Sequence, residues 1–336
     1  MTQQTVLVTG GSGFIAGYCV LDLLRAGFAV RATLRDLSRG ETLRKTLIAA
    51  GMAPDAPFSF AAADLLLDAG WQAAMEGVNY VLHVASPVHP GHVEDEAIVI
   101  RPAREGTLRV LRAARQAGGA RVVLTSAFHA VSWGHPRTDH VFTEADWTIP
   151  DGPGSDAYAR SKTYAEREAW DFVADGQGPE LVTLLPVAVM GPRLTSVVSG
   201  ANHLLHRMLT GGMPAMPDLH IPIVDVRDVA HAHVLALTTE AAAGQRFLLS
   251  NGPAWALRDI AALLRAHLDQ AAVKVPRRGM PGWVLRLMAL RNPQIRAILP
   301  DLGRSKKTDN SKARDVLGWE PRPVEEAILS AAKSMV

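Results

Sequence analysis

The chain has 336 residues, 48% of them hydrophobic and 20% charged, ordinary values for a folded protein large enough to bury a substantial core. Its 35 basic and 33 acidic residues leave a formal charge of +2, which argues against a dedicated nucleic-acid surface, and the single cysteine, Cys19, excludes an intramolecular disulfide or a cysteine-cluster metal site. The start runs from MTQQ into TVLVTG with no basic stretch or long apolar run, and no uncharged apolar run reaches the ~18 residues of a membrane span. A cytoplasmic protein with no membrane, nucleic-acid or metal partner is expected.

In the first half, short β-branched runs alternate with helical periodicities. Thr5–Val8 reads as a strand, Gly13–Ala26 as a helix ended by Gly27, and Ala29–Leu34 as a second strand. A helix is predicted over Leu43–Ala50, a third strand over Phe58–Ala62, a short helix over Trp71–Met75 and a fourth strand over Tyr80–Val84. Pro102–Gln116 reads as a helix stopped by Gly118-Gly119, and Arg121–Leu124 as a fifth strand. A long helix follows over Ala157–Ala174 and a sixth strand over Leu181–Leu185. Strands alternating with helices, each strand apolar on both faces, indicate an α/β fold with a doubly wound parallel sheet.

After Pro186 the pattern loosens. Ile221–Val224 and Arg246–Leu249 look like further strands around a helix at Val229–Leu237. Leu257–Leu268, Gly282–Leu290 and Val324–Lys333 are helical. Residues 1–185 are therefore expected to form a nucleotide-binding domain whose sheet is rejoined by about 221–250. Residues 186–220 and 251–336 are expected to form a smaller α/β substrate lobe. Met190, Leu194, Leu204, Met208, Met213 and Met216 read as core, or alternatively as an adaptable apolar substrate wall. The cluster Arg304-Ser305-Lys306-Lys307 reads as a solvated loop.

Thr9-Gly10-Gly11-Ser12-Gly13-Phe14-Ile15-Ala16-Gly17 follows the first strand and opens the first helix. Glycines there let the backbone turn and approach a ligand, and the helix N-terminus offers unpaired N–H groups to a pyrophosphate. This strand–loop–helix context makes Gly10, Gly13, Phe14 and Ile15 dinucleotide-binding candidates. Arg35 at the end of the second strand, with Arg39 nearby, suits the 2′-phosphate of NADP(H), while Asp36 leaves NAD(H) possible. Asp64, followed by Leu65, stands where an adenine would lie; a helix N-cap is an equally good reading of Asp64.

Tyr158-Ala159-Arg160-Ser161-Lys162 stands at the start of the long helix, and residues four apart share a face. Lys162 is thus expected near the Tyr158 phenol, lowering its pKa from ~10 and equipping it for proton transfer at a carbonyl or alcohol oxygen. Lys162 is also placed to hold a nicotinamide ribose.

With these segments, the chain resembles the extended short-chain dehydrogenase/reductases, and more closely their dihydroflavonol reductase and cinnamoyl-CoA reductase group. The resemblance covers nearly the whole chain. It rests on Thr9–Gly17, Val30–Asp36, Ala63-Asp64-Leu65, His83–Pro87, Arg121–Ser126, Phe142–Trp147, Tyr158–Lys162, Leu185–Pro192, Val224–Val229 and Leu317-Gly318-Trp319. It implies a Rossmann-type domain and hydride transfer from NADPH to a carbonyl, with Tyr158 as general acid; an adaptable apolar wall would suit a bulky aromatic or alkyl ketone or aldehyde. It also implies that Ala85, Ser86 and Pro87 line the cofactor cleft, that the strand end at Thr125 abuts the nicotinamide, and that Pro186 to Val189 pack near its amide. Asp225–Asp228 would be structural. Family members are often homodimers, and Pro102–Gln116 with Ala157–Ala174 would form such a face.

One departure stands out. The family usually reads Thr-Ser-Ser at the end of the fifth strand, its second serine being the third catalytic residue; here the run is Thr125-Ser126-Ala127. Strand side chains alternate faces, so Ser126 points away from the face that Thr125 and Ala127 share. Three readings stand. The strand end bends so that Ser126 or Thr125 serves, with Ser126 the first candidate for the role; a neighbour such as His129 or Ser132, or a water, supplies the hydrogen bond; or the loss slows the chemistry, by ~10²–10³ for one positioned donor. Ala127, His129 and Ser132 are the substrate-side candidates. A nucleotide-sugar epimerase or dehydratase on the same scaffold, and a cofactor-binding regulator without turnover, are the rival functions.

Overall fold

The computed structural model describes residues 3–86, 93, 95–118 and 121–336. Seven strands form one parallel sheet: β1 Thr5–Val8, β2 Ala29–Leu34, β3 Phe58–Ala62, β4 Tyr80–His83, β5 Arg121–Thr125, β6 Leu181–Pro186 and β7 Arg246–Leu249. Their spatial order is β3-β2-β1-β4-β5-β6-β7. The order reverses between β1 and β4, and the crevice beyond the carboxyl ends of the strands there is where such sheets take ligands.

The helices in this part of the chain are α1 Phe14–Arg25, α2 Gly40–Ala49, α3 Trp71–Met75, α4 Ala97–Gln116, α5 Ala157–Val173, α6 Asn202–Thr210 and α7 Val226–Thr238. Strand alternation sorts the core into two layers. Val6, Val8, Leu82 and Val123 join one cluster with Leu23 of α1 and Val229 of α7. Leu7, Val81, Val122 and Leu124 join another with Val110 and Leu111 of α4 and Ala169 of α5. Thr125 thus falls on the α1/α7 side, and Ser126, one residue on, turns toward α4 and α5.

The smaller lobe has its own core, in which Met190, Leu205, Met208, Met213 and Met216 pack with Leu264 and Ile328. These methionines are core, not a substrate wall. Leu194 packs instead against the main core, and its Cδ1 lies 2.8 Å from where a Cβ on Gly17 would stand. The lobe is tied back by Asp228, whose carboxylate accepts from the Arg322 backbone N–H at 2.7 Å and pairs with the Arg322 guanidinium, and whose carbonyl accepts from Trp319 Nε1 at 2.9 Å.

Several boundaries differ from expectation. Of the two late strands only β7 joins the main sheet; Ile223–Asp225 pairs with Ala188–Met190, and His220–Ile221 with Trp255–Ala256. α4 begins at Ala97, five residues before Pro102, which lacks the N–H to reach back to Ile98. Gly118 (φ +103°) follows the helix end as expected, while Gly119 lies outside the described residues. The helix α6, closed by Gly211 at φ +82°, was not legible among its flanking glycines. Lys306 is buried rather than solvated, pairing with Asp301 at 3.3 Å.

Candidate active site

The β1–α1 loop is shaped for close backbone approach. Gly10 adopts φ +69°, and a Cβ on it would stand 2.9 Å from that of Ala85. A Cβ on Gly11 would stand 2.6 Å from that of Ala32. The loop is pinned from both sides: Gly10 N donates to Thr33 Oγ1 at 3.0 Å, Gly11 N to Thr33 O at 3.0 Å, and Ala85 N to Thr9 Oγ1 at 3.0 Å. Thr9 Oγ1 also lies 2.9 Å from Nδ1 of buried His83, a brace at the end of β4 that the sequence reading missed. Burial pulls the His83 pKa down to about 3, with Lys162 adding to the effect, so the imidazole is neutral. α1 opens at Gly13 with no side-chain cap and no acidic residue in its first turn, leaving the N–H groups at Phe14 and Ile15 free for an anion.

Beside this loop is a cavity of about 330 Å³ lined by Ser12, Leu34, Arg35, Asp36 and Arg39. Asp36 is committed to its own turn: Oδ1 accepts from Ser38 N at 2.9 Å, which holds its carboxyl below the usual range. Arg35 and Arg39 are exposed, and their guanidiniums make no hydrogen bond or ion pair among the described residues. The residues therefore fit a dinucleotide, with the arginines available for a 2′-phosphate and the carboxylate not aimed at a 2′-hydroxyl. Asp64 accepts from Leu66 N at 2.9 Å in a turn rather than capping a helix, since the next helix begins at Trp71, and Leu65 packs on Gly106 of α4. Ala85, Ser86, Thr125, Ser126, Lys162 and Glu166 surround one small void. Pro87 lies outside the described residues. Pro186 ends β6 in register with Leu249, and partly exposed Val189 pairs with Val224.

Asp156 caps α5 through Ala159 N at 2.8 Å and so sets Tyr158 in the first turn. Lys162, one turn on, donates from Nζ to the Thr125 carbonyl at 3.0 Å, joining α5 to the end of β5. Burial pulls the Lys162 pKa down to about 8, against the opposing pull of Glu166. The tuning expected of Tyr158 is not what these surroundings give: burial, helped by Asp156, pushes the phenol up to about 12, and it stays protonated at neutral pH.

The two hydroxyls of the β5 end are both engaged in the interior. His233 Nδ1 lies 2.7 Å from the Val229 carbonyl, which only accepts, so Nδ1 carries the proton and Nε2 accepts from Thr125 Oγ1 at 2.7 Å. Ser126 Oγ donates to Glu166 at 2.6 Å. Glu166, 1% exposed, also accepts from Thr183 Oγ1 at 2.8 Å and from Arg246 Nε at 2.8 Å, while Arg246 stacks on Trp147 at 3.6 Å. This places Ser126 against a buried carboxylate, contrary to the expectation that it serves as the third catalytic residue. Glu166 lies four residues after Lys162, a spacing from which its position could have been read. Ser132 is wholly buried, and its hydroxyl has no partner among the described residues. Ala127 is 5% exposed and brings only a methyl group.

His129 differs from these. It is partly exposed, and its ring lies 4.8 Å from that of Tyr158, edge-on at 76°. It stacks on Trp133 at 3.7 Å and 21°, and Lys306 Nζ covers the Trp133 ring at 3.5 Å. Thr148 Oγ1 holds the His129 carbonyl at 2.6 Å and accepts from Trp133 N at 2.9 Å. The imidazole nitrogens make no hydrogen bond among the described residues. Burial, with Lys306 and Lys162 nearby, pulls the His129 pKa down to about 3.

A family model described as the NAD dependent epimerase/dehydratase family matches residues 6–249. The chain is 34% identical over 254 positions to a cinnamoyl-CoA reductase of Medicago truncatula, covering 73% of this chain and 76% of that protein. It is 30% identical over 357 aligned positions to a ketoreductase of Aspergillus niger, covering 99% and 98%. Among solved structures, yeast methylglyoxal/isovaleraldehyde reductase complexed with NADPH matches with a TM-score of 0.79 at 26% identity, over 99% of this chain and 98% of that one. The matched span takes in the glycine loop, the protonated phenol on α5 and the lysine one turn beyond it, and the chain belongs to the NAD-dependent epimerase/dehydratase family of extended short-chain dehydrogenase/reductases, in its dihydroflavonol reductase-like group.

Proposed function

We propose that the protein is an NADPH-dependent carbonyl reductase acting on aromatic or alkyl ketones and aldehydes. The observation that carries the reading is the placement of Tyr158 in the first turn of α5, with Lys162 one turn on tied to the carboxyl end of β5, in a sheet whose glycine loop and free Arg35/Arg39 pair fit a phosphorylated dinucleotide. The reductases to which the chain is similar support the same cofactor and reaction. Bound NADPH supplies the hydride. The chain holds the pyrophosphate at α1 and the 2′-phosphate at Arg35 and Arg39. Tyr158 keeps its proton until negative charge builds on the substrate oxygen, then donates it. An alkoxide is a far stronger base than a phenolate, so a phenol at about 12 still transfers its proton downhill. Lys162 fixes α5 to the β5 end and presents its cationic head beneath the site.

Incubating the protein with NADPH and with NADH against a carbonyl panel tests this. Substrate-dependent loss of NADPH absorbance that collapses in Tyr158→Phe is the expected result; full activity in that variant would overturn the assigned acid. The epimerase reading loses support because Arg193 is spent on the Ser196 carbonyl at 2.8 Å and on the Ser334 carbonyl, and Arg207 on the Gly212 carbonyl at 3.3 Å. No helix among the described residues is long and apolar enough to cross a membrane. A cytoplasmic homodimer built on α4 and α5 completes the proposal, and light scattering tests the stoichiometry.

A further inference from the structure

We propose that His129 donates the second hydrogen bond to the substrate carbonyl oxygen, in place of the hydroxyl missing at Ala127. This rests on the carbonyl-reductase reading and assigns a catalytic residue within it. The proposed function gives the site one donor, the Tyr158 phenol. A carbonyl oxygen gaining charge gains from a second donor fixed beforehand. Among the described residues, the hydroxyls of the β5 end and of the segment that follows it are spent or sealed: Thr125 on His233, Ser126 on Glu166, and Ser132 without exposure, while Thr148 beside them holds the His129 carbonyl. The single polar side chain in ring contact with Tyr158 among the described residues is His129.

His129 has the properties that the task needs. Its imidazole is neutral, so one ring nitrogen carries a proton across the whole working pH range. Its orientation is fixed before substrate arrives: Trp133 lies flat against one face, Lys306 fixes Trp133 from behind, and Thr148 anchors the backbone of both residues. A ring held this way loses little freedom when it binds a ligand, which is the condition for a useful donor. Lys306 is then a positioning residue that acts through Trp133.

The test combines His129→Phe, which keeps an aromatic ring in the stack but has no N–H, with Ala127→Ser. His129→Phe is expected to lower kcat by about 10²–10³-fold, with NADPH binding, read by fluorescence titration, unchanged. Ala127→Ser in the His129→Phe background is expected to return kcat to within about tenfold of the unsubstituted protein, because a serine hydroxyl then fills the role. Ala127→Ser alone is expected to change little. An unchanged kcat in His129→Phe overturns the proposal. So does a failure of Ala127→Ser to rescue it, which would mark His129 as packing alone, or a large gain from Ala127→Ser alone, which would mean the role was vacant. Absence of turnover in the unsubstituted protein is a different outcome: it overturns the reductase reading and, with it, any donor role.

Discussion

Ser126→Ala separates a structural serine from a catalytic one. The hydroxyl donates to the buried Glu166 carboxylate at 2.6 Å and has no path to a substrate held by Tyr158. A hydrogen bond to a charged group contributes ~1.5–3 kcal/mol. Glu166 keeps Thr183 and Arg246 in the variant, so the lower end applies. Unfolding entropy of ~2.1 cal/mol/K per residue gives about 0.7 kcal/mol/K for 336 residues, so 1.5 kcal/mol lowers Tm by about 2 °C. The expected outcome is a melting temperature lower by about 2 °C and a kcat within about threefold of the unsubstituted protein, since losing a positioned donor would cost ~10² or more. Calorimetry and steady-state reduction with NADPH on the same preparation read both numbers. An unchanged Tm together with a hundredfold loss of kcat would refute the reasoning and return Ser126 to the active site.

Replacing Arg35 and Arg39 by alanine should raise the KM for NADPH about 10–100-fold, the equivalent of one or two charge-assisted contacts, and leave the KM for NADH nearly unchanged; equal losses for the two cofactors would exclude a 2′-phosphate role. Because burial holds the Tyr158 phenol near 12, its proton is retained as pH rises until that value is approached. Loss of this proton should therefore not lower the reductive rate between pH 6 and 9, whereas alcohol oxidation, which needs phenolate, should climb with pH, up to about tenfold per unit; pH profiles in both directions check this, and a plateau in oxidation at pH 7 would contradict it. Arg246→Met strips the main cation from Glu166 and should cost about 3–5 kcal/mol, read from urea unfolding; a loss under about 1 kcal/mol would mean that the buried pair matters little.

Where neighbours in sequence decide structure, the reading was good. β2 and β3 match their expected bounds because β-branched and aromatic runs are closed off by turn residues. α4 was misjudged because Pro102 looks like a first-turn proline, while the five residues before it helped to bury Val99. The alternation rule correctly turned Ser126 away from Thr125, yet nothing local announced the destination of either side chain. Glu166 comes 40 residues after Ser126 and His233 108 residues after Thr125. The same limit hid the raised Tyr158 pKa: spacing put a lysine one turn away, but burial, which dominates the shift, is set by the elements packed around the phenol. Lys306 sat in a run of charges that reads as solvated, and only the fold brought Trp133 beneath it.

The run from Lys306 through Trp133 and His129 to Tyr158 carries a lesson for recombining such enzymes. Lys306 belongs to the C-terminal part of the chain and the other three residues to the first half. A C-terminal part taken from a relative would bring a new residue against Trp133, and the aromatic column would lose or keep its outer cation accordingly. Lobe and nucleotide domain are thus not independent cassettes. A chimera joined after β7 would take Tyr158, His129 and Trp133 from one parent and position 306 from the other, so the column would be complete only where the two match.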